Sequence, residues 1–393
     1  MFTSLQHPDR YGYYQIGNRR TYSKLEFVDY LNQYPADWHW DYNDAFFSSF
    51  DWATEPAEDI NTLYRKRAEA LREQYDYVVL FYSGGYDSSN MLYAFLDNGI
   101  PIDEICTYYA SQDTFTGQKI ELDNFTWQKL DAIEKKYPNI KITRWDYGDE
   151  FFNWSDKIKQ AGAGANMVEM IAGGLISINR IVLDFGHEYV PHWKKLLMQG
   201  KKVAWVHGAD KPMLRYHNDT WKFNFHDGII NGRLTPVRQI LDQGDIGNIE
   251  LFYWAPDATC ANIIIKQCHL LKNYYTPQAK IDFSKIPGVK KHNIEYGWEI
   301  DNISLDFVKQ LYPRLFSGNL ILPNENWSTI KSARSMFGNR DHWFTQLNHH
   351  AVDEFHRMWK GANSSIHSHW HDWFHNGTIE SGIRSCITQD YII

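Results

Sequence analysis

The sequence predicts an α/β fold: a mostly parallel, doubly wound sheet with helices on both faces, preceded by an aromatic-rich N-terminal extension and followed by an α+β C-terminal region. Three observations predict it. Apolar runs of strand length alternate with segments of helical periodicity between residues 56 and 220, the pattern of strands joined by crossover helices. The first of those runs, Val78 to Tyr82, breaks directly into Ser83-Gly84-Gly85 and a new helical pattern, as at the strand–turn–helix join of a βαβ unit. The composition, 43% hydrophobic and 22% charged over 393 residues, is that of a globular chain long enough for roughly two to three domains.

Residues 1–55 read as an extension packing on the core, rich in Tyr, Trp, Phe and Asp, with a short helix at Lys24 to Gln33. The opening residues carry no apolar h-region and no later segment approaches a membrane span, so neither secretion nor membrane contact is expected and the expected location is cytoplasmic. Residues 56–220 form the predicted central domain. Its first helix, Pro56 to Gln74, repeats Ile60, Leu63, Tyr64, Ala68 and Leu71 at helical spacing with Pro56 in the first turn. Beyond the glycine turn, Met91, Leu92, Phe95 and Leu96 give the next helix a buried face that stops at Gly99 and Pro101. Strands are predicted at Ile102 to Tyr109, Ile140 to Trp145 and Lys202 to His207. A crossover helix is expected at Gln118 to Tyr137, ended by Pro138, and a largely buried helix at Asn166 to Leu183. Gly162 to Asn166, ahead of that helix, reads as an entry turn.

Residues 221–393 form the predicted C-terminal substrate or accessory region, with a strand at Trp221 to Phe225, a helix at Asp257 to Tyr274 and a surface loop at Pro287-Gly288 running into Lys290, Lys291 and His292. Asn324 to Phe344 gathers Lys331, Arg334 and Arg340. His367-x-His369-x-His371 would align three imidazoles on one strand face, but Trp370, Trp373 and Phe374 around them favour an aromatic packing surface over a metal site. His375-Asn376-Gly377-Thr378 reads as a hairpin turn. The four cysteines form no Cys-x-x-Cys pair, which argues against a zinc ribbon or a redox motif.

The glycine turn carries the chemistry. Glycines let backbone N–H groups crowd an anion, and the helix that follows adds positive potential. Asp87 sits inside the turn with hydroxyls at Ser83, Ser88 and Ser89. A bare phosphate would repel Asp87, so a phosphate accompanied by a divalent cation suits the mixture. No Gly-x-x-x-x-Gly-Lys-Ser/Thr occurs, so this is not a Walker loop.

The stretch Ser83-Gly84-Gly85-Tyr86-Asp87-Ser88 resembles the Ser-Gly-Gly-x-Asp-Ser loop of the PP-loop ATP pyrophosphatases, which cleave ATP between its α and β phosphates. The resemblance implies a HUP-like sheet, ATP and Mg2+ as cofactors, Ser83, Gly84, Gly85, Tyr86, Asp87, Ser88 and Ser89 as the nucleotide loop, and Tyr109 beside the adenine. A second resemblance, to the synthase domain of asparagine synthetases, lies after the strand ending at His207, where that family carries Gly-Glu-Gly-x-Asp-Glu. Gly208 and Asp210 fall on its second glycine and its aspartate, while His207 and Lys211 stand where it has glutamates. This implies Asp87 and Asp210 as the Mg2+ pair and a cationic side chain on the α-phosphate, for which Lys211 and Lys331 both qualify. Asparagine-synthase-like proteins of tailed bacteriophages have a similar look.

The implied activity is adenylation of a carboxylate or amide-type oxygen with release of pyrophosphate, then attack by an amine or ammonia with release of AMP, with Asp87, Asp210, Lys211, His207 and Lys331 as the reactive set. Position 2 is Phe2, where glutamine-dependent relatives carry a nucleophilic cysteine, so no glutaminase half is expected in this chain. A net charge of −8 without a Lys/Arg run favours a small-molecule acceptor. A base in tRNA or DNA as acceptor, and a nucleotide-binding regulator without turnover, are the alternatives.

Overall fold

The computed structural model describes residues 12–21, 36–109, 122–146, 190–208, 211–226, 248–279, 289–291, 298–300, 305–317, 370–372 and 384–393, together with Phe27, Tyr30, Leu31, Gln33 and Tyr34. The N-terminal part opens with β1 (Tyr13–Ile16), β2 (Arg19–Thr21) and β3 (Trp38–Asp41), an antiparallel sheet ordered β2-β1-β3. Helix α1 (Ile60–Gln74) follows. Asp59 starts it by accepting hydrogen bonds from the N–H groups of Asn61 and Thr62 at 3.0 and 3.1 Å, so Pro56 precedes the cap and is not in the first turn as expected. An acidic cap satisfies two donors that proline leaves open.

The central sheet is made of β4 (Tyr77–Phe81), β5 (Glu104–Tyr109), β6 (Lys141–Asp146), β7 (Val203–His207) and β10 (Asn248–Leu251), ordered β10-β7-β4-β5-β6 with every pair parallel. Helices flank it: α2 (Tyr86–Leu96), α3 (Trp127–Lys136), α4 (Pro191–Met198) and α5 (Ala258–Ala279). β4 reads Tyr-Val-Val-Leu-Phe and is buried from Val78 to Phe81, as a strand covered on both faces must be. Being first in the chain yet central, β4 sends the chain outward to β5 and β6. The chain then returns to β4's other side for β7 and β10. The direction therefore reverses between β4 and β7.

β10 lies beyond residue 220 and still joins this sheet. It is held by Arg67 of α1, whose guanidinium bonds Glu250 at 3.0 Å, Asp257 at 2.7 Å and the Leu251 carbonyl at 3.1 Å. A second sheet, ordered β11-β12-β8-β9-β15, uses β8 (Leu214–His217), β9 (Thr220–Phe223), β11 (Val289–Lys291), β12 (Trp298–Ile300) and β15 (Tyr391–Ile392), all antiparallel. The β8–β9 hairpin turns on Asn218 and Asp219 at φ 48° and 58°, the left-handed pair that tight hairpins require. Lys290 and Lys291, expected in a surface loop, belong to β11 because its backbone pairs with β12.

The crossover helix expected from Gln118 is described from Leu122, and its opening turn Leu122–Thr126 is a π-helix that passes into α3. α5 extends five residues past the expected Tyr274 and contains Pro277. It packs on α1 and on α6 (Leu305–Leu311), which a 3-10 turn at Pro313–Phe316 follows. β13 (Trp370–Asp372), which holds His371, pairs with β14 (Arg384–Cys386). The segments 162–183 and 324–344, His367, His369 and His375 to Thr378 lie outside the described residues. All four cysteines are buried and free. Among the described residues no helix is long and apolar enough to cross a membrane.

Candidate functional site

In an open parallel sheet, ligands bind beyond the carboxyl ends of the strands where the strand order reverses. Here that point lies between β4 and β7, and the described parts of both predicted motifs fall on it: Ser83 to Ser89 after β4, and His207 and Gly208 at the end of β7. Tyr109 ends the neighbouring strand β5 on the same edge, its ring 5.3 Å from that of Trp127 and nearly perpendicular to it.

The turn itself is built from glycine for two reasons. Gly84 has φ +80°, and a Cβ there would come within 2.5 Å of Thr126 Oγ1. Gly85 is the N-cap of α2, in an extended conformation. The first N–H groups of α2 have no carbonyl one turn back within the helix, so the Gly84-Gly85 turn opens onto donors and the positive end of the helix dipole. Ser83 is exposed at the rim, and Gly85, Tyr86 and Asp87 are half-buried. Ser88 and Ser89, expected as ligand hydroxyls, are buried and brace the turn from inside. Ser88 Oγ accepts from the Ser83 N–H at 3.3 Å and lies 3.1 Å from Ser83 Oγ, while Ser89 Oγ donates to the Gly84 carbonyl at 3.4 Å.

Asp87 is the centre of the site. Lys211 Nζ lies 2.7 Å from its Oδ1 and 2.8 Å from its Oδ2, and the Tyr312 hydroxyl donates to Oδ1 at 2.6 Å. The Tyr253 hydroxyl donates to the Asp87 backbone carbonyl at 2.8 Å and accepts from Asn90 Nδ2 at 3.0 Å. Burial, and then the nearby negative charge of Asp87, push the Tyr312 phenol up; burial and neighbouring Tyr64 and Asp87 do the same to Tyr253. Both therefore remain protonated donors.

Gly208 brings β7 against this turn. A Cβ on it would lie 3.0 Å from the Asp87 carbonyl oxygen and 3.1 Å from Ser88 Cα, so the close approach of two backbones excludes a side chain. His207 is buried with its ring centroid 4.5 Å from that of Phe81, and its carbonyl accepts from the Phe252 N–H at 2.8 Å. It faces the core through that ring contact. Asp210 and Lys331 lie outside the described residues.

Four residues of the site were not anticipated: Thr126, Lys129, Tyr253 and Tyr312. Thr126 Oγ1 donates to the Ser83 carbonyl and Lys129 Nζ to the Gly84 carbonyl, each at 2.8 Å. Burial lowers the Lys129 ammonium to about 8. Nothing in the local sequence marks these residues, since each acts across at least 40 positions of chain; the join of π-helix and α3 at Thr126 is the single local irregularity among them.

Among the described residues no group of three or more His, Cys, Asp and Glu could hold a metal ion. Mg2+ asks for less, because it keeps several waters and binds through one or two carboxylates plus substrate phosphates. Asp87, at the open end of α2, meets that requirement once Lys211 yields its place. No protein-family model matches the chain, and no curated protein matches it.

Proposed function

We propose that the chain is an ATP-dependent, AMP-forming ligase of the PP-loop ATP pyrophosphatase type, with a HUP-like sheet, acting on a small-molecule acceptor. One observation carries the reading: a glycine turn with a left-handed residue, a helix N-terminus and an inward carboxylate stand at the reversal point of a parallel sheet. The triphosphate lies on Ser83 to Tyr86, and the adenine lies toward Tyr109. Asp87, with Asp210, would hold Mg2+, which when bound supplies charge neutralisation on the leaving phosphates.

An acceptor carboxylate oxygen attacks the α-phosphorus, the α–β bridging bond breaks, and pyrophosphate leaves with the electron pair. An amine then attacks the acyl carbon of the adenylate, loses a proton, and AMP departs. The chain's own residues position and neutralise. The α2 N-terminus and Lys211 face the charge that develops on the transferring group. Lys211 leaves Asp87 for phosphate as nucleotide and cation arrive together, an exchange of one ion pair for two.

A nucleotide-binding protein without turnover is the second reading, favoured by the Lys211–Asp87 pair, which neutralises the carboxylate with a side chain. Measuring AMP and pyrophosphate from ATP and Mg2+ with amino acids and ammonia, with tRNA, or with DNA separates the readings. Pyrophosphate that depends on a small acceptor is the expected result, and tRNA or DNA dependence would reassign the acceptor. ADP and phosphate as sole products would overturn the mechanism; binding without any product would favour the second reading. Asp87→Asn is expected to lower pyrophosphate release at least 100-fold, on the order of 3 kcal/mol of transition-state stabilisation, with an unchanged circular dichroism spectrum.

A further inference from the structure

Four lysine and arginine side chains are buried among the described residues: Arg67, Lys129, Lys211 and Arg215. Three of them meet carboxylates. Arg67 pairs with Glu250 and Asp257, Lys211 with Asp87, and Arg215 with Asp390. Lys129 is 6% exposed, yet no carboxylate of the described residues lies within ion-pair distance of it, and its one hydrogen bond goes to the neutral Gly84 carbonyl at 2.8 Å. Burial alone shifts its ammonium, down to about 8, with no compensating charge among the described residues. An uncompensated buried charge is costly, and a folded chain keeps one only where something else completes it.

The position of Lys129 says what that is. It projects from the first turn of α3 to the Gly84 carbonyl of the glycine turn, which also accepts from Ser89 Oγ. The hydrogen bond to Gly84 is therefore duplicated by a neutral donor, and the charge is the part of Lys129 that nothing in the turn requires. The same turn opens onto the α2 N-terminus, which favours an anion. We propose that Lys129 is a phosphate-binding residue: the counter-ion of its buried ammonium is the phosphate chain of the ligand seated on the Ser83 to Ser89 turn. The inference rests on the nucleotide reading of that turn, but it concerns the anion alone and not the reaction.

Titration calorimetry with inorganic pyrophosphate, at neutral pH and low salt, tests it on the full chain. Lys129→Gln keeps a donor for Gly84 and removes the charge, so its pyrophosphate Kd is expected to rise at least tenfold. Lys129→Arg, which keeps the charge, is expected to stay within a few-fold of the parent. The ligand-free melting temperature of Lys129→Gln is expected to equal or exceed that of the parent, because an unpaired charge has left the interior. Wild-type affinity in Lys129→Gln, or a lowered melting temperature with unchanged affinity, would overturn the proposal and make Lys129 a clamp on the turn. A parent chain that binds no pyrophosphate would overturn it as well. If the parent binds pyrophosphate in a Lys129-dependent way yet releases none from ATP, the ligase reading fails and this one stands.

Discussion

Gly84 is where one residue's freedom decides the site. Its φ of +80° excludes most side chains, and the space a Cβ would fill is taken by Thr126 Oγ1. Gly84→Ala therefore meets backbone strain and a clash together, and is expected to destabilise the protein by about 2 kcal/mol; urea unfolding measures it, and nucleotide binding should be lost with it. A Gly84→Ala chain of unchanged stability would show that the turn is not held as described. Glycine at this position was legible in the sequence because only glycine repeats at a sharp strand-to-helix join. Asp87 was legible too, by its type and place. Lys211 was legible as a site residue through the motif after β7, but not as the ion-pair partner of Asp87 124 residues away, and Tyr312, 225 residues away, has no pattern of its own. The same holds for Lys129, which shares an amphipathic helix with exposed lysines and differs from them only by burial.

At the scale of elements, the strands that stand out most plainly in the sequence are those whose apolar runs are continuous. β4 and β7 lie inside the sheet and are apolar nearly to their ends, whereas β6, at the sheet's edge, carries Thr143 and Arg144 in mid-strand and was legible from its place after the crossover helix. β10 escaped notice because it is four residues long, Asn-Ile-Glu-Leu, and carries a charge at its third position. Glu250 is fully buried, and it is tolerable there because Arg67 and the Tyr75 hydroxyl meet its two oxygens. The pair neutralises the buried carboxylate of a strand that runs directly into Tyr253, whose hydroxyl reaches the Asp87 carbonyl. Removing Arg67 alone strands the carboxylate. Arg67→Ala is expected to cost about 3–5 kcal/mol, read as a lower denaturation midpoint, whereas the double variant Arg67→Met, Glu250→Leu should recover much of that loss. A single substitution with less than about 1 kcal/mol of effect would mean that β10 is held by backbone pairing without the ion pair.

Over the whole molecule, the N-terminal part, the second sheet and the last residues of the chain share one aromatic core. The Trp52 ring stacks on Tyr391 with centroids 4.3 Å apart and on Phe223 at 5.4 Å. At the edge of that core the Tyr391 hydroxyl donates to Asp44 Oδ1 at 2.9 Å. Asp44 is pushed up from 3.8 to about 7, chiefly by burial and then by the charge of Asp41, with the Tyr391 hydrogen bond opposing the rise. The folded state therefore holds a proton that the unfolded chain releases near pH 4, so the native form binds more protons between about pH 4 and 7 and its stability falls as pH rises through that window. Above pH 7 both states are ionised and the loss is complete. Asp44→Asn carries no titration and keeps an oxygen for Tyr391. Its melting temperature is expected to match that of the parent at pH 4 and to exceed it increasingly toward pH 8. The ring and hydrogen-bond contacts of Asp44 and Tyr391 run to Asp41, Trp52 and Phe223, and among the described residues none reaches the Ser83 turn, so pyrophosphate binding at pH 7.5 should be the same in both proteins. A melting-temperature difference that is constant with pH would show that Asp44 is ionised throughout, and that the contact between the two ends of the fold rests on its stacked rings.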